Sequence, residues 1–294
     1  MQETTKGFWA IVAACVVWGL SGIYYKALSE VPPAEVLAHR TLWSALFLGA
    51  VVAVQGRGAV LLAALRGRNL HFLALSATVI SINWFGFIWS VQNGHAVEAS
   101  LGYYIFPLVA VALGMAVFGE RMGRAQGFAV ALAAAAVGYL TWALGAAPWI
   151  ALLLATTFGL YGLVKKRLDV APVVSVLAEV VILAPLAIAW LAAKHYGWFG
   201  QMPGSGAFGR DLAHSAMLAF SGVMTGGPLM LFSYAARRVR MATLGLVQYL
   251  NPTLQFVVAV ALFAEPFTAA HAVAFPLIWG ALALYSAASL RRKG

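Results

Sequence analysis

The chain is dominated by apolar stretches long enough to cross a lipid bilayer, and this leaves few folds open to it. A helix needs about 20 mainly apolar residues to span a hydrocarbon core of about 30 Å. Ten segments meet that demand, at about 7–28, 33–54, 70–92, 96–119, 125–144, 148–165, 172–193, 213–236, 241–264 and 268–290. The linkers between them are short, the longest being the Gly-rich run from Lys194 to Leu212, so a separate soluble domain has no room. Composition agrees: 63% of the 294 residues are apolar and 10% are charged, against about 25% charged in a soluble domain. There are too few polar side chains to cover a water-facing surface, so the bulk solvent of this chain is lipid.

The net charge of +10 would suit a nucleic-acid partner if it formed a patch, but its distribution points elsewhere. Fifteen Lys and Arg residues fall on one set of alternate linkers and termini: Lys6, Arg57, Arg66, Arg68, Arg121, Arg124, Lys165, Lys166, Arg167, Arg237, Arg238, Arg240, Arg291, Arg292 and Lys293. Only Lys26, Lys194 and Arg210 fall on the other set, and Arg40 lies within a span. Basic residues accumulate on cytoplasmic loops, so both termini are expected in the cytoplasm and no nucleic acid is expected as partner. An even number of spans requires the same. Cys15 is the only cysteine, which excludes an internal disulfide.

The sequence repeats itself. WGLSGIYYK (Trp18–Lys26) aligns with FGLYGLVKK (Phe158–Lys166), and Leu37-Ala38 with Leu177-Ala178 at the same offset. ASLG (Ala99–Gly102) aligns with ATLG (Ala242–Gly245), Pro107 with Pro252, and Glu120 with Glu265. The order is kept with small drifts in offset, which divides the chain into residues 1–145 and 146–294, five spans each. Five is odd, so the second copy enters the membrane upside down. The expected fold is an all-α integral membrane protein of ten transmembrane helices in two inverted five-helix repeats. Inverted repeats build transporters that alternate access to a site near the midplane between the halves.

Polar residues inside the spans are costly and mark function or interhelical glue. Counting depth at 1.5 Å per residue puts His39 and Arg40 roughly 10 Å below the outer end of span two. Asn83, Tyr103 and Tyr104 reach a similar layer, with Glu98 above them. Glu98, Asn83 or these tyrosines are therefore the expected partners of Arg40. His39 titrates near neutrality in its unperturbed form, which makes it a candidate carrier of a coupling proton. The repeat gives His39 a counterpart in Glu179, and Tyr103 and Tyr104 counterparts in Gln248 and Tyr249; depth counting separates His39 from Glu179. Gln248, Asn251 and Gln255 fall on one helix face. Trp18 and Trp84 add ring faces that can hold cations or rings. Pro107 and Pro252 each remove a helix donor, as hinges or by freeing carbonyls into a cavity.

Three segments carry a resemblance: EVLAHRTLWS (Glu35–Ser44), NWFGFIWSVQNGHAVEASLGYYIFPL (Asn83–Leu108) with GER after it, and LVQYLNPTLQFVVAVALFAEPF (Leu246–Phe267). They resemble the drug/metabolite transporter superfamily, in particular its EamA-type members of the RarD kind. The resemblance implies a multi-pass permease of the bacterial inner membrane that exports small metabolites, amino acids or drugs without ATP and without a cofactor. Phe106 and Gln92 stand where that pattern has asparagine.

No Walker A sequence occurs, so coupling is expected from an ion gradient, with the proton as a candidate ion, or from the solute's own gradient. The leading reading is a secondary exporter of a small amphipathic solute; the alternative is a passive channel. An enzyme is not expected, because no acidic pair shares one depth and no zinc-type His-Glu-x-x-His sequence is present.

Overall fold

A computed structural model describes residues 2–66, 68–118, 123–145, 147–198, 204–239 and 247–291. Glu120 and the 242–245 segment compared above with Ala99–Gly102 lie outside these residues. Every regular element among the described residues is helical: α1 (Gln2–Ala27), α2 (Pro33–Val54), α3 (Gly58–Ala64), α4 (Arg68–Gln92), α5 (Ala96–Phe118), α6 (Arg124–Leu144), α7 (Trp149–Lys165), α8 (Pro172–His195), α9 (Leu212–Ala236), α10 (Leu250–Val257) and α11 (Ala269–Arg291). A π-helical turn, Val258–Leu262, extends α10.

Among the described residues, eight helices are long and apolar enough to cross a membrane: α1, α2, α4, α5, α6, α8, α9 and α11. The sixth and ninth expected spans correspond to shorter apolar helices, Trp149–Lys165 and Leu250–Leu262. At 1.5 Å per residue, the 17 residues of α7 reach about 26 Å, a little less than the hydrocarbon thickness. The short helix α3 was not expected; it occupies the linker after span two.

Helix boundaries follow local chemistry. Pro33 and Pro172 stand in the first turns of α2 and α8, where a missing N–H removes no intrahelical bond. The side chain of Asp211 caps α9 by accepting from the His214 N–H at 2.8 Å. That hydrogen bond, with the His214 ring beside it, holds the Asp211 carboxyl below its ordinary range. Gly145 closes α6 at φ 67°, a conformation that glycine adopts without steric cost. The turn between α1 and α2 is fixed from outside: the Gln92 side-chain amide donates to Leu28 O at 2.8 Å and to Val31 O at 3.2 Å.

Pro107 and Pro252 occupy different settings. Pro107 lies inside continuous α5. Pro252 lies where a helical run is interrupted: Val247 and Gln248 are helical, Tyr249 is a turn residue with right-handed helical backbone, and α10 begins at Leu250. Like Pro107, it lacks the N–H that would bond the carbonyl four residues earlier.

Polar clamps set which helix ends share a side. Lys194 at the end of α8 pairs with Glu35 at the start of α2. Arg238, just past α9, pairs at 2.8 Å with Glu3 at the start of α1. The Glu265 carboxylate, following the π turn, accepts from Ala96 N and Val97 N at 2.8 Å each, capping α5. Between these clamps, α5 packs on α7, α2 on α8 and α9, α1 on α9 and α10, α4 on α7 and α8, and α6 on α11. Large apolar side chains such as Leu186, Phe128 and Trp142 face outward at 63–80% exposure, the surface that lipid covers.

Close helix contact depends on small residues. A Cβ on Gly102 would lie 2.8 Å from the Ala151 carbonyl oxygen of α7. Gly102→Val therefore forces α5 from α7, and overpacking of this kind costs about 1–3 kcal/mol. Its thermal unfolding midpoint in detergent should fall by several degrees, whereas Gly138→Ala, with nothing within 4 Å, should leave the midpoint unchanged or raise it.

Candidate solute site between the helices

Arg40 is 8% exposed, deep in the bundle. Its Nε donates to the Thr225 hydroxyl of α9 at 2.9 Å, and that hydroxyl in turn donates to Ser221 O at 3.0 Å. The guanidinium lies 4.1 Å over the Trp84 ring and 5.8 Å from the Tyr25 ring centre. Among the described residues no carboxylate pairs with it. The expected partners are engaged elsewhere: Glu98 sits 3.2 Å from His95, and Asn83 and Tyr103 bond to each other. Ring faces attract a cation through their quadrupole, so Arg40 is held by aromatics and one hydroxyl. Its planar fork keeps the geometry that receives a carboxylate bidentately.

Asn83 is a crosslink. Its amide donates to Leu154 O at 3.0 Å and to Thr157 Oγ1 at 2.9 Å, and its Oδ1 accepts from Tyr103 OH at 2.9 Å. Three helices, α4, α5 and α7, meet at this one side chain. With both amide hydrogens and the carbonyl engaged, Asn83 has little left to offer a solute.

From Tyr25 a file of rings runs through the bundle. Tyr25 meets Phe87 at 5.9 Å, Phe87 meets Tyr103 at 5.8 Å, Tyr103 meets Phe158 at 5.8 Å, and Phe158 meets Tyr161 at 6.0 Å. At the far end the Tyr161 hydroxyl donates to Glu179 Oε2 at 3.3 Å. Glu179 is fully buried and also accepts from Ser76 Oγ at 2.6 Å, and it forms an ion pair with Lys165. The file thus joins a cation at one end to an ion pair at the other.

The remaining expected site residues lie apart from this file. His39, beside Arg40 in sequence, points to another face of α2 and stacks on Phe208 at 5.0 Å. Phe208 belongs to the segment that follows α8, whose Ala207 N–H donates to Glu35 next to Lys194. Tyr104 diverges from Tyr103: its hydroxyl bonds the Thr253 hydroxyl at 2.7 Å. Together with Tyr249, Thr253 and Trp279 it lines a separate cavity of about 580 Å³ between α5, α10 and α11. Trp18 packs on Phe232 at 6.1 Å, Asn251 Oδ1 accepts from Gln255 at 3.1 Å, and Gln248 is half-buried. One layer by depth therefore becomes three locations by direction, because successive helix residues turn about 100°.

Residue-by-residue reading of the sequence placed Tyr25 on one face of span one with Trp18 and Ser21, and missed Thr225, Tyr161, Lys165 and Glu35. The repeat held a signal for Lys165 through Tyr25. Tyr25, facing Arg40, and Lys165, facing Glu179, occupy aligned positions in WGLSGIYYK and FGLYGLVKK.

Comparison with known proteins agrees with this architecture. A profile of the EamA-like transporter family matches residues 5–142. An uncharacterized transporter of Pseudomonas aeruginosa is 40% identical over 96% of this chain and 93% of its own. The protein RarD of Salmonella typhimurium is 39% identical over 97% of this chain and 95% of its own. A protein of Pseudomonas aeruginosa named chloramphenicol-sensitive protein RarD is 29% identical over 100% and 98%. A crystal structure 22% identical in sequence superposes with a TM-score of 0.59, covering 97% of this chain and 96% of that one, which shows a shared fold. With relatives this similar along nearly its whole length, the chain belongs to the EamA-like transporter family of the drug/metabolite transporter superfamily, in its RarD-like branch, as a multi-pass membrane protein.

Proposed function

We propose that this chain is a secondary transporter of the bacterial inner membrane that exports a small amphipathic solute carrying a carboxylate, such as an aromatic amino acid, by alternating access. The moving parts are two inverted five-span repeats, residues 1–145 and 146–294, with both termini in the cytoplasm. Helix packing supports the repeat. With α1 matched to α7, α2 to α8, α4 to α9, α5 to α10 and α6 to α11, the packing of α1 on α9 has its counterpart in α7 on α4. Likewise α1 on α10 mirrors α7 on α5, and α2 on α9 mirrors α8 on α4.

The observation that carries the solute reading is the state of Arg40. It is a buried guanidinium held by two ring faces and a hydroxyl, without a carboxylate among the described residues. A solute carboxylate completes its coordination, and the solute's apolar part then lies along the file that starts at Tyr25 and Phe87. Sparse polar groups fixing the orientation of a ligand within aromatic walls is the usual design of small-molecule sites.

Counterflow in proteoliposomes tests this reading. Vesicles loaded with unlabelled phenylalanine should accumulate labelled phenylalanine transiently and with saturation. Arg40→Ala should lower that accumulation at least tenfold, a factor equivalent to about 1.4 kcal/mol, with Arg40→Lys intermediate. Flux without saturation or counterflow identifies a channel, and unchanged counterflow in correctly folded Arg40→Ala removes Arg40 as the anchor. Chloramphenicol, named with one relative, has no carboxylate; any transport of it should not require Arg40.

Asn83 should give the opposite signature. Asn83→Leu strands the Tyr103 hydroxyl and the Thr157 side chain inside the bundle, and each stranded buried group costs about 1–3 kcal/mol. The thermal midpoint should drop, while the affinity of the surviving folded protein for phenylalanine stays within a few-fold of the parent.

A further inference from the structure

Of the buried carboxylates described above, two have fixed structural tasks. Glu265 caps α5 through two backbone N–H groups, and Glu35 ties Lys194 to the Ala207 backbone. Glu179 differs. It caps no helix and accepts no backbone N–H; its partners are the side chains of Lys165, Tyr161 and Ser76. It is completely buried, whereas the Lys165 side chain is 22% exposed, so one member of the pair reaches solvent and the other does not. Lys165 ends α7 and also bonds Ser175, one turn before Glu179 on α8. The pair therefore ties α7 to α8, and Ser76 adds α4.

We propose that Glu179 is the proton-binding site of the transporter, with Lys165, Tyr161 and Ser76 as its positioning residues. This deepens the secondary-transport reading above and rests on it. A proton arriving on the Glu179 carboxylate forms one O–H bond and cancels its charge. The Lys165 ammonium then loses its partner and turns to the solvent it already touches, and the tie from α7 to α8 opens. Release of the proton restores the carboxylate and the tie. One proton is bound and one released, with no other group transferred.

The surroundings make this a single-site device. Lys165 and Tyr161 on α7 and Ser76 on α4 are the groups that act on Glu179 among the described residues. The other helices packed on α8 present apolar chains there: Leu48 and Val52 on α2, Ala64 on α3, Leu229 and Met230 on α9. The site is also connected, since Tyr161 links Glu179 to Phe158 and Tyr103 and so to the file that begins at Arg40. His39, the proton carrier expected from sequence, lacks that link; it stacks on Phe208 outside the file.

Infrared difference spectra of the full-length protein in lipid vesicles, acid minus alkaline and without solute, read this directly. The parent should show the C=O band of a protonated carboxyl shielded from water. Glu179→Gln should remove it, and Glu98→Gln and His39→Gln should leave it. Lys165→Met, which removes the neighbouring positive charge, should move its titration midpoint to higher pH by about one unit or more. A band that persists unchanged in Glu179→Gln overturns the proposal. If that variant does not fold, an unmoved midpoint in Lys165→Met overturns it instead, and a raised midpoint supports it. No solute enters the measurement, so its failure leaves the Arg40 reading standing, and a failed counterflow assay leaves the proton site standing.

Discussion

A charge buried inside a membrane protein has to be answered by the protein itself, and much of this structure follows from how four buried charges are answered. On insertion scales a central Arg, Lys or Asp costs about 2.5–3.5 kcal/mol. Glu265 is answered by a helix N-terminus, whose free N–H groups and positive dipole end suit a carboxylate; this binds the end of the π turn to the start of α5. Glu35 is answered by Lys194, and the same carboxylate pulls the segment after α8 across α2. Glu179 is answered by Lys165. Only Arg40 is answered by aromatic faces and a hydroxyl, which offset its charge without consuming its carboxylate-binding edge.

The two charged clusters on the ring file are related through the repeat. Position 25 on α1 and position 165 on α7 are aligned, and so are His39 on α2 and Glu179 on α8. In the first half a tyrosine at the aligned position faces an arginine; in the second half a lysine faces a glutamate. The same scaffold position has been given a ring to support a cation in one copy and a cation to support an anion in the other. On the proposed reading this divides the labour: one half offers a site to an anionic solute, and the other holds the ion pair that a proton would part.

Much of the fold is legible in the sequence because lipid imposes a coarse and strict rule. Every stretch expected to span contains a helix among the described residues, since backbone groups in hydrocarbon must be satisfied within a helix. What composition could not give was the direction of individual side chains. His39 and Arg40 are neighbours, as are Tyr103 and Tyr104, and each pair splits between two faces because a helix turns about 100° per residue. Depth counting sees only height, so it placed His39 and Tyr104 with Arg40. Thr225 was invisible for another reason: a threonine in a membrane helix commonly bonds its own preceding turn, and Thr225 does so with Ser221 while also receiving Arg40. Asn83 and Tyr103, placed in one layer by depth, do meet, because both lie on faces that turn inward.

The central claim is that Arg40 awaits a carboxylate, and differential stabilisation of the purified protein tests it most directly. A ligand at free concentration L that is bound only by the native state stabilises it by RT ln(1 + L/Kd), and so raises the melting point. Phenylalanine, phenylalaninol and phenethylamine share one ring and one amine and differ in the carboxylate. Phenylalanine alone should raise the thermal midpoint, and the rise should vanish in Arg40→Ala. Equal shifts from all three compounds, or a phenylalanine shift that survives Arg40→Ala, would contradict the account.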